Sequence, residues 1–243
     1  MKTFRQFYES KFYNDTLHPS LWDAAGNIDQ EVRSKLLTIA NDVATAAGVD
    51  HLVEDIQLTG SMANFNYTDF SDLDTHILLD YDKVNHDEDL VKKALDGKRF
   101  IWNLRHDIKM GGHDVEIYFQ DVDEPHKASG LYSLLNGEWI REPVHNEPQV
   151  DERDVTLKAD RIKGEIADLE VAQQTSTGDD LEELQEGAQA LRNKIAKMRK
   201  DSLDQDGEFG IGNLAFKELR NSDYMERLID VANKLYDDKF TDK

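Results

Sequence analysis

Between positions 30 and 47 apolar residues recur at helical spacing, with Val32, Leu36, Ile39, Ala40 and Val43 on one face. Asp29 stands where an N-cap belongs and Gly48 where a helix stops, so the pattern predicts a helix ending near Ala47. The period then shortens to two. Ile56-Gln57-Leu58 reads as a strand running into Thr59-Gly60-Ser61, residues 64–71 read as loop, and a second strand covers 72–80. Helical character returns over 87–105, and Gly111-Gly112 breaks the chain before a third strand at 113–119. Residues 131–135 and 138–141 flank Asn136-Gly137, a dipeptide that favours a tight type I′ hairpin turn. Residues 1–20 mix aromatic and polar positions and read as a short helix or arm ending near Pro19.

Past Pro143 and Pro148 the pattern becomes helical throughout, which places a domain boundary near residue 150. Ile162, Ile166 and Leu169 form one stripe. After a turn at 175–180, Leu181, Leu184, Ala188, Leu191, Ile195 and Met198 form another. Two such seams predict an antiparallel helical hairpin. Two further helices are expected at about 212–220 and 223–238, the second with Ser222 as N-cap. The expected fold is α+β: a short mixed sheet flanked by helices over residues 1–150, then a helical region over 151–243.

Composition narrows the function. Fifty acidic against 29 basic residues leave a net charge of −21, a field that repels polyanions and makes a long nucleic-acid duplex an unlikely ligand. The chain has no cysteine, which excludes disulfides, thiol nucleophiles and cysteine-held zinc or iron–sulfur sites. Any metal site must therefore rest chiefly on oxygen, which points to magnesium, manganese or calcium. No apolar run reaches the roughly 20 residues needed to span a bilayer, and the N-terminus has no signal-peptide pattern. The expected setting is cytoplasmic, without a membrane partner.

The candidate chemistry lies between positions 58 and 117. Gly60 and Ser61 end a strand and open a short helical turn, a junction whose backbone N–H groups suit a phosphate. Eleven residues after Ser61 comes Asp72-Leu73-Asp74; in a strand, residues two apart share a face, so both carboxylates project together. Such a pair repels unless a cation lies between them. A third acid, Glu116, sits inside the strand at 113–119, with Asp114 on the same side as a competing candidate. If the two strands are neighbours, three carboxylates converge as in-line phosphoryl or nucleotidyl transfer on two metal ions requires.

Leu58-Thr59-Gly60-Ser61, the ten-residue spacer, Asp72-Leu73-Asp74 and Val115-Glu116-Ile117 together resemble the signature of the DNA polymerase β-like nucleotidyltransferase superfamily. Glu116 departs from the aspartate usual in polymerases. The likeness extends to nucleotidyltransferases of large tailed bacteriophages through His18-Pro19-Ser20-Leu21-Trp22-Asp23, residues 59–80 and Val115-Glu116-Ile117-Tyr118. Met1-Lys2-Thr3-Phe4 is similar to the opening of phage head proteins. The resemblance implies that Gly60 and Ser61 bind the triphosphate of an NTP. It implies that Asp72 and Asp74 hold two Mg²⁺ ions (or Mn²⁺), and that Glu116 completes the metal nearer the acceptor. A nucleoside monophosphate would then pass to a hydroxyl on an RNA end, a small molecule or a protein, with release of pyrophosphate. For a phage protein the setting is the host cytoplasm or the virion.

Other residues invite a plainer account. His76 shares the face of Asp72 and Asp74 and reads first as a hydrogen-bonded structural histidine. Lys194, Lys197, Arg199 and Lys200 form the densest basic cluster, more simply a solvated helix end than a phosphate clamp; Lys217 and Arg220 are read the same way. Trp22, Trp102 and Trp139 read as core rather than base-stacking residues. Two rival functions stand beside the transferase: a non-catalytic phage structural or interaction protein that keeps the fold, and, less favoured, a metal-dependent nuclease.

Overall fold

A computed structural model describes residues 12–126, 128–145, 150–175 and 180–241, so part of the expected N-terminal arm lies outside the described residues. The chain divides into two compact units, Met1–Glu147 and Pro148–Lys243.

The first unit is a six-stranded mixed sheet with helices. Helix α1 spans Gln30–Ala47. Its first free N–H groups, those of Glu31 and Val32, donate to the Asp29 carboxylate, and Gly48 ends it in the left-handed conformation. Strand β1, Val53–Thr59, leads through a single tight turn at Ser61–Ala63 and a loop into β2, Leu73–Leu79. A four-residue helix α2, Tyr81–Val84, and then α3, Glu88–Arg105, follow. The hairpin β3, Lys109–Met110, and β4, His113–Asp121, comes next, and β5, Leu131–Ser133, with β6, Glu138–Arg141, closes the unit. The order across the sheet is β3-β4-β2-β1-β5-β6. Strand β2 runs antiparallel to β1 and parallel to β4.

Alternation decides the faces. Leu73, Thr75 and Ile77 of β2 and Val115, Ile117 and Phe119 of β4 are buried, and together with Ile56, Leu58, Leu36 and Ala40 they mark the main core. The intervening Asp74, His76, Glu116 and Tyr118 are only partly buried, on the opposite face. Helix α3 lies along β4, where Asn103 both donates to the Ile117 carbonyl and accepts from its N–H. That bond supplies the backbone partners that β3 is too short to provide, and it anchors the helix beside the open face.

Two sequence expectations change in detail. Strand β2 begins at Leu73, so Asp72 stands at its threshold rather than inside it. The β5–β6 connection has four residues, 134–137, and Gly137 is at φ +74° while Asn136 is not in the positive region; a type I′ turn needs both.

The second unit is helical: α4, Glu152–Thr175; α5, Asp180–Asp206; α6, Ile211–Asn221; α7, Tyr224–Phe240. Helices α4 and α5 run antiparallel, with Lys194 on Glu165 and Gly187 against Leu169. Ser222 does not cap α7. Its hydroxyl donates back to the Glu218 carbonyl and finishes α6, while Asp223, at φ +62°, starts the next helix. The basic cluster is used within this unit: Lys194 pairs with Glu165, Lys197 with Asp201, and Arg199 covers the Phe216 ring.

Candidate active site

Asp74 and Glu116 are register partners on the adjacent parallel strands β2 and β4, so their side chains leave the sheet side by side. On the other side of Asp74, the register partner is Thr59, the last residue of β1. Gly60 follows, at φ +75° and ψ −160°, and a Cβ there would meet the Asp74 carboxylate, coming within 3.0 Å of its Cγ. Glycine lets the β1 turn close over the aspartate. Ser61 begins one turn of three residues, too short for the positive helix end expected from the sequence; any grip on phosphate rests on the backbone N–H groups of the turn itself.

Asp72 is delivered by a loop tied down at several points. Ser71, its neighbour, is buried; its hydroxyl accepts from Ser61 Oγ at 2.9 Å and from the Thr68 N–H at 2.9 Å. The Ser71 carbonyl accepts a bond from His113 Nδ1 at 2.7 Å. His113 therefore has its proton on Nδ1, and its Nε2 accepts from His18 Nε2 at 3.3 Å. The other nitrogen of His18 accepts from the Ser20 N–H at 3.3 Å, which is consistent with that tautomer. Burial holds the His18 pKa below its ordinary value, with the neighbouring His113 adding to the effect.

Asp114, the competing third acid, is committed elsewhere. Its carboxylate pairs with Lys109 at 2.6 Å across the β3–β4 hairpin, whereas Glu116 accepts a bond from the Tyr118 hydroxyl. Asp74 and Glu116 share one face, and Asp72 lies just before β2 at the same end. As the side chains stand, no three His, Cys, Asp or Glu side chains among the described residues are gathered into a cation-holding group. The fit to a divalent cation rests on the oxygen donor set and the in-register Asp74–Glu116 pair.

Beyond the carboxylates a cavity of about 500 Å³ opens, lined by Gly60, Asp74, His76, Arg99, Tyr118 and His126 among others. One step along the strands from Asp74–Glu116, His76 and Tyr118 are again register partners, with rings nearly parallel and centroids 4.9 Å apart. Gln120 donates to the Glu124 carbonyl, so its oxygen faces His76 Nδ1 at 2.6 Å and takes that proton. Burial pushes the His76 pKa down to about 4, and only partly does the Gln120 bond oppose this. The hydrogen-bonded structural role expected of His76 is present, and the ring also lines the cavity. Burial raises the Tyr118 pKa, as do the nearby Asp74 and Glu116 charges, and the phenol stays protonated as a donor. Burial likewise lowers His126, helped by Arg141.

Sequence reasoning named Gly60, Ser61, Asp72, Asp74 and Glu116, and the fold brings all five to one end of β1, β2 and β4. It passed over Tyr118, Arg99, Ser71 and His113. Alternation alone puts Tyr118 on the face of Glu116; nothing local marks the other three. None of the three tryptophans lines this cavity: Trp22 and Trp139 stack at 4.5 Å within the core region, and Trp102 packs on His106. No helix among the described residues is long and apolar enough to cross a membrane. Comparison with protein-family models, curated proteins and solved structures finds no match to this chain.

Proposed function

We propose that the chain is a Mg²⁺-dependent nucleotidyltransferase of the polymerase β-like type, moving a nucleoside monophosphate from an NTP to a hydroxyl acceptor and releasing pyrophosphate. The observation that carries this reading is the register of Asp74 against Glu116, with Asp72 two residues before Asp74 and Gly60 closed over it. Two divalent ions, when bound, would supply charge neutralisation at the transferring phosphoryl group. Asp72 and Asp74 would hold both ions, and Glu116 would complete the one nearer the acceptor and help remove the proton of its hydroxyl. The Gly60–Ser61 backbone would orient the leaving phosphates. No covalent enzyme intermediate is needed, which suits a chain without cysteine.

The acceptor is an RNA end, a small molecule or a protein hydroxyl. The test is incubation with each labelled NTP, Mg²⁺ and a panel of all three acceptor kinds. Incorporation that disappears in Asp74→Asn supports the reading. Absence of incorporation together with absence of Mg²⁺-dependent nucleotide binding by calorimetry overturns it in favour of a structural role.

A further inference from the structure

Glutamate at position 116 carries one more methylene than aspartate and hence one more rotatable bond, so on an open strand face its carboxylate has freedom that Asp74 lacks. Asp74 is confined by the turn at Gly60. For Glu116 the confinement comes from its own strand. Tyr118, two positions on and on the same face, donates its hydroxyl to Oε2.

The tyrosine is itself held. His76 lies against its ring at 4.9 Å, and the Arg99 guanidinium covers it at 4.5 Å from the centroid. Arg99 is steadied by Asp96 at 3.3 Å, and His76 by Gln120 at 2.6 Å. The phenol is thus gripped from β2 and from α3, and its hydroxyl reaches back along β4 to a single carboxylate oxygen. A charge-assisted bond of this kind is among the stronger side-chain bonds.

We propose that Tyr118 is a positioning residue, whose hydroxyl fixes the Glu116 carboxylate beside its register partner Asp74 by committing Oε2, leaving the other oxygen for a divalent cation. This rests on the nucleotidyltransferase reading and adds a residue that the superfamily signature does not contain. Arg99 and His76 act through Tyr118 by fixing its ring.

The experiment measures Mn²⁺ binding by electron paramagnetic resonance in the wild-type chain, Tyr118→Phe, Glu116→Gln and Asp74→Asn, with the transfer assay in parallel. Tyr118→Phe keeps the ring and loses only the hydroxyl. It is expected to weaken Mn²⁺ binding by about 10- to 100-fold, the usual effect of losing a partner that orients a ligand. Turnover should fall while the KM for NTP stays within about twofold, because the triphosphate contacts are untouched. In a Glu116→Gln background the same change should have no further effect, since the group being oriented is already gone. Arg99→Met, which loosens the ring and keeps the hydroxyl, serves as a second variant and should weaken Mn²⁺ binding by a smaller factor. Wild-type binding in both Tyr118→Phe and Arg99→Met, with binding lost in Glu116→Gln, overturns the role of Tyr118 and leaves the enzyme reading standing. Wild-type binding in Asp74→Asn and Glu116→Gln overturns that reading, and the role of Tyr118 with it.

Discussion

The Asp74 carboxylate occupies the space that a side chain at position 60 would need, so Gly60, which follows Asp74's register partner Thr59, is complementary to it in shape. Gly60 also adopts φ +75° with ψ −160°, a combination essentially confined to glycine. Gly60→Ala is therefore expected to destabilise the first unit by about 1–3 kcal/mol and to push the aspartate aside. Thermal unfolding together with Mn²⁺ binding checks this; an alanine variant as stable and as metal-competent as the wild type would contradict the geometry.

Asp74→Asn preserves size and removes the charge. Folding should be nearly unchanged, because Asp74 sits on the open face rather than in the core. Transfer should fall by more than about a hundredfold, as expected for the loss of a metal ligand. Asp114→Asn, by contrast, removes only the surface pair with Lys109 and should leave turnover within about twofold.

His76 predicts a pH dependence of stability. Its folded pKa of about 4 lies below the free value of 6.5, so the folded ring stays neutral while the unfolded ring takes up a proton. Above pH 6.5 this costs nothing. As the pH falls towards 4 the unfolded state gains protons first and stability drops by as much as about 3 kcal/mol from this group, then levels off. Urea unfolding at pH 7.5 and at pH 4 should show a smaller difference in His76→Gln than in the wild type. Equal differences would mean that His76 does not titrate as its burial requires.

In the second unit Arg227 grips Glu170 with two parallel bonds, Nε to Oε1 at 2.7 Å and a terminal nitrogen to Oε2, and its guanidinium also covers the Tyr224 ring at 4.0 Å. This fork holds the Glu170 carboxyl below its usual range and joins α4 to α7. A double-mutant cycle with Arg227→Ala and Glu170→Ala is expected to give a coupling of about 1 kcal/mol, above the median for exposed pairs. Coupling near zero would class it with ordinary surface ion pairs.

The helices and the strands around the candidate site were legible because they depend on local rules: apolar spacing, an aspartate cap before α1, a glycine after it, and alternation in β2 and β4. Alternation likewise put Asp114, Glu116 and Tyr118 on one face of β4, but it did not place Asp72, which lies before β2. Periodicity does not reveal which strands are neighbours. The parallel pairing that sets Asp74 against Glu116 joins residues 42 positions apart and is decided by how the core face of the sheet is buried. That Asp114 pairs with Lys109 while Glu116 takes the Tyr118 hydroxyl is set by contacts across the hairpin and along β4, and Ser222 went to α6 because its hydroxyl found a carbonyl behind it rather than an N–H ahead. Tyr118, Arg99 and the His18–His113–Ser71 chain matter only through contacts across the fold, and such contacts leave no spacing for a sequence to display.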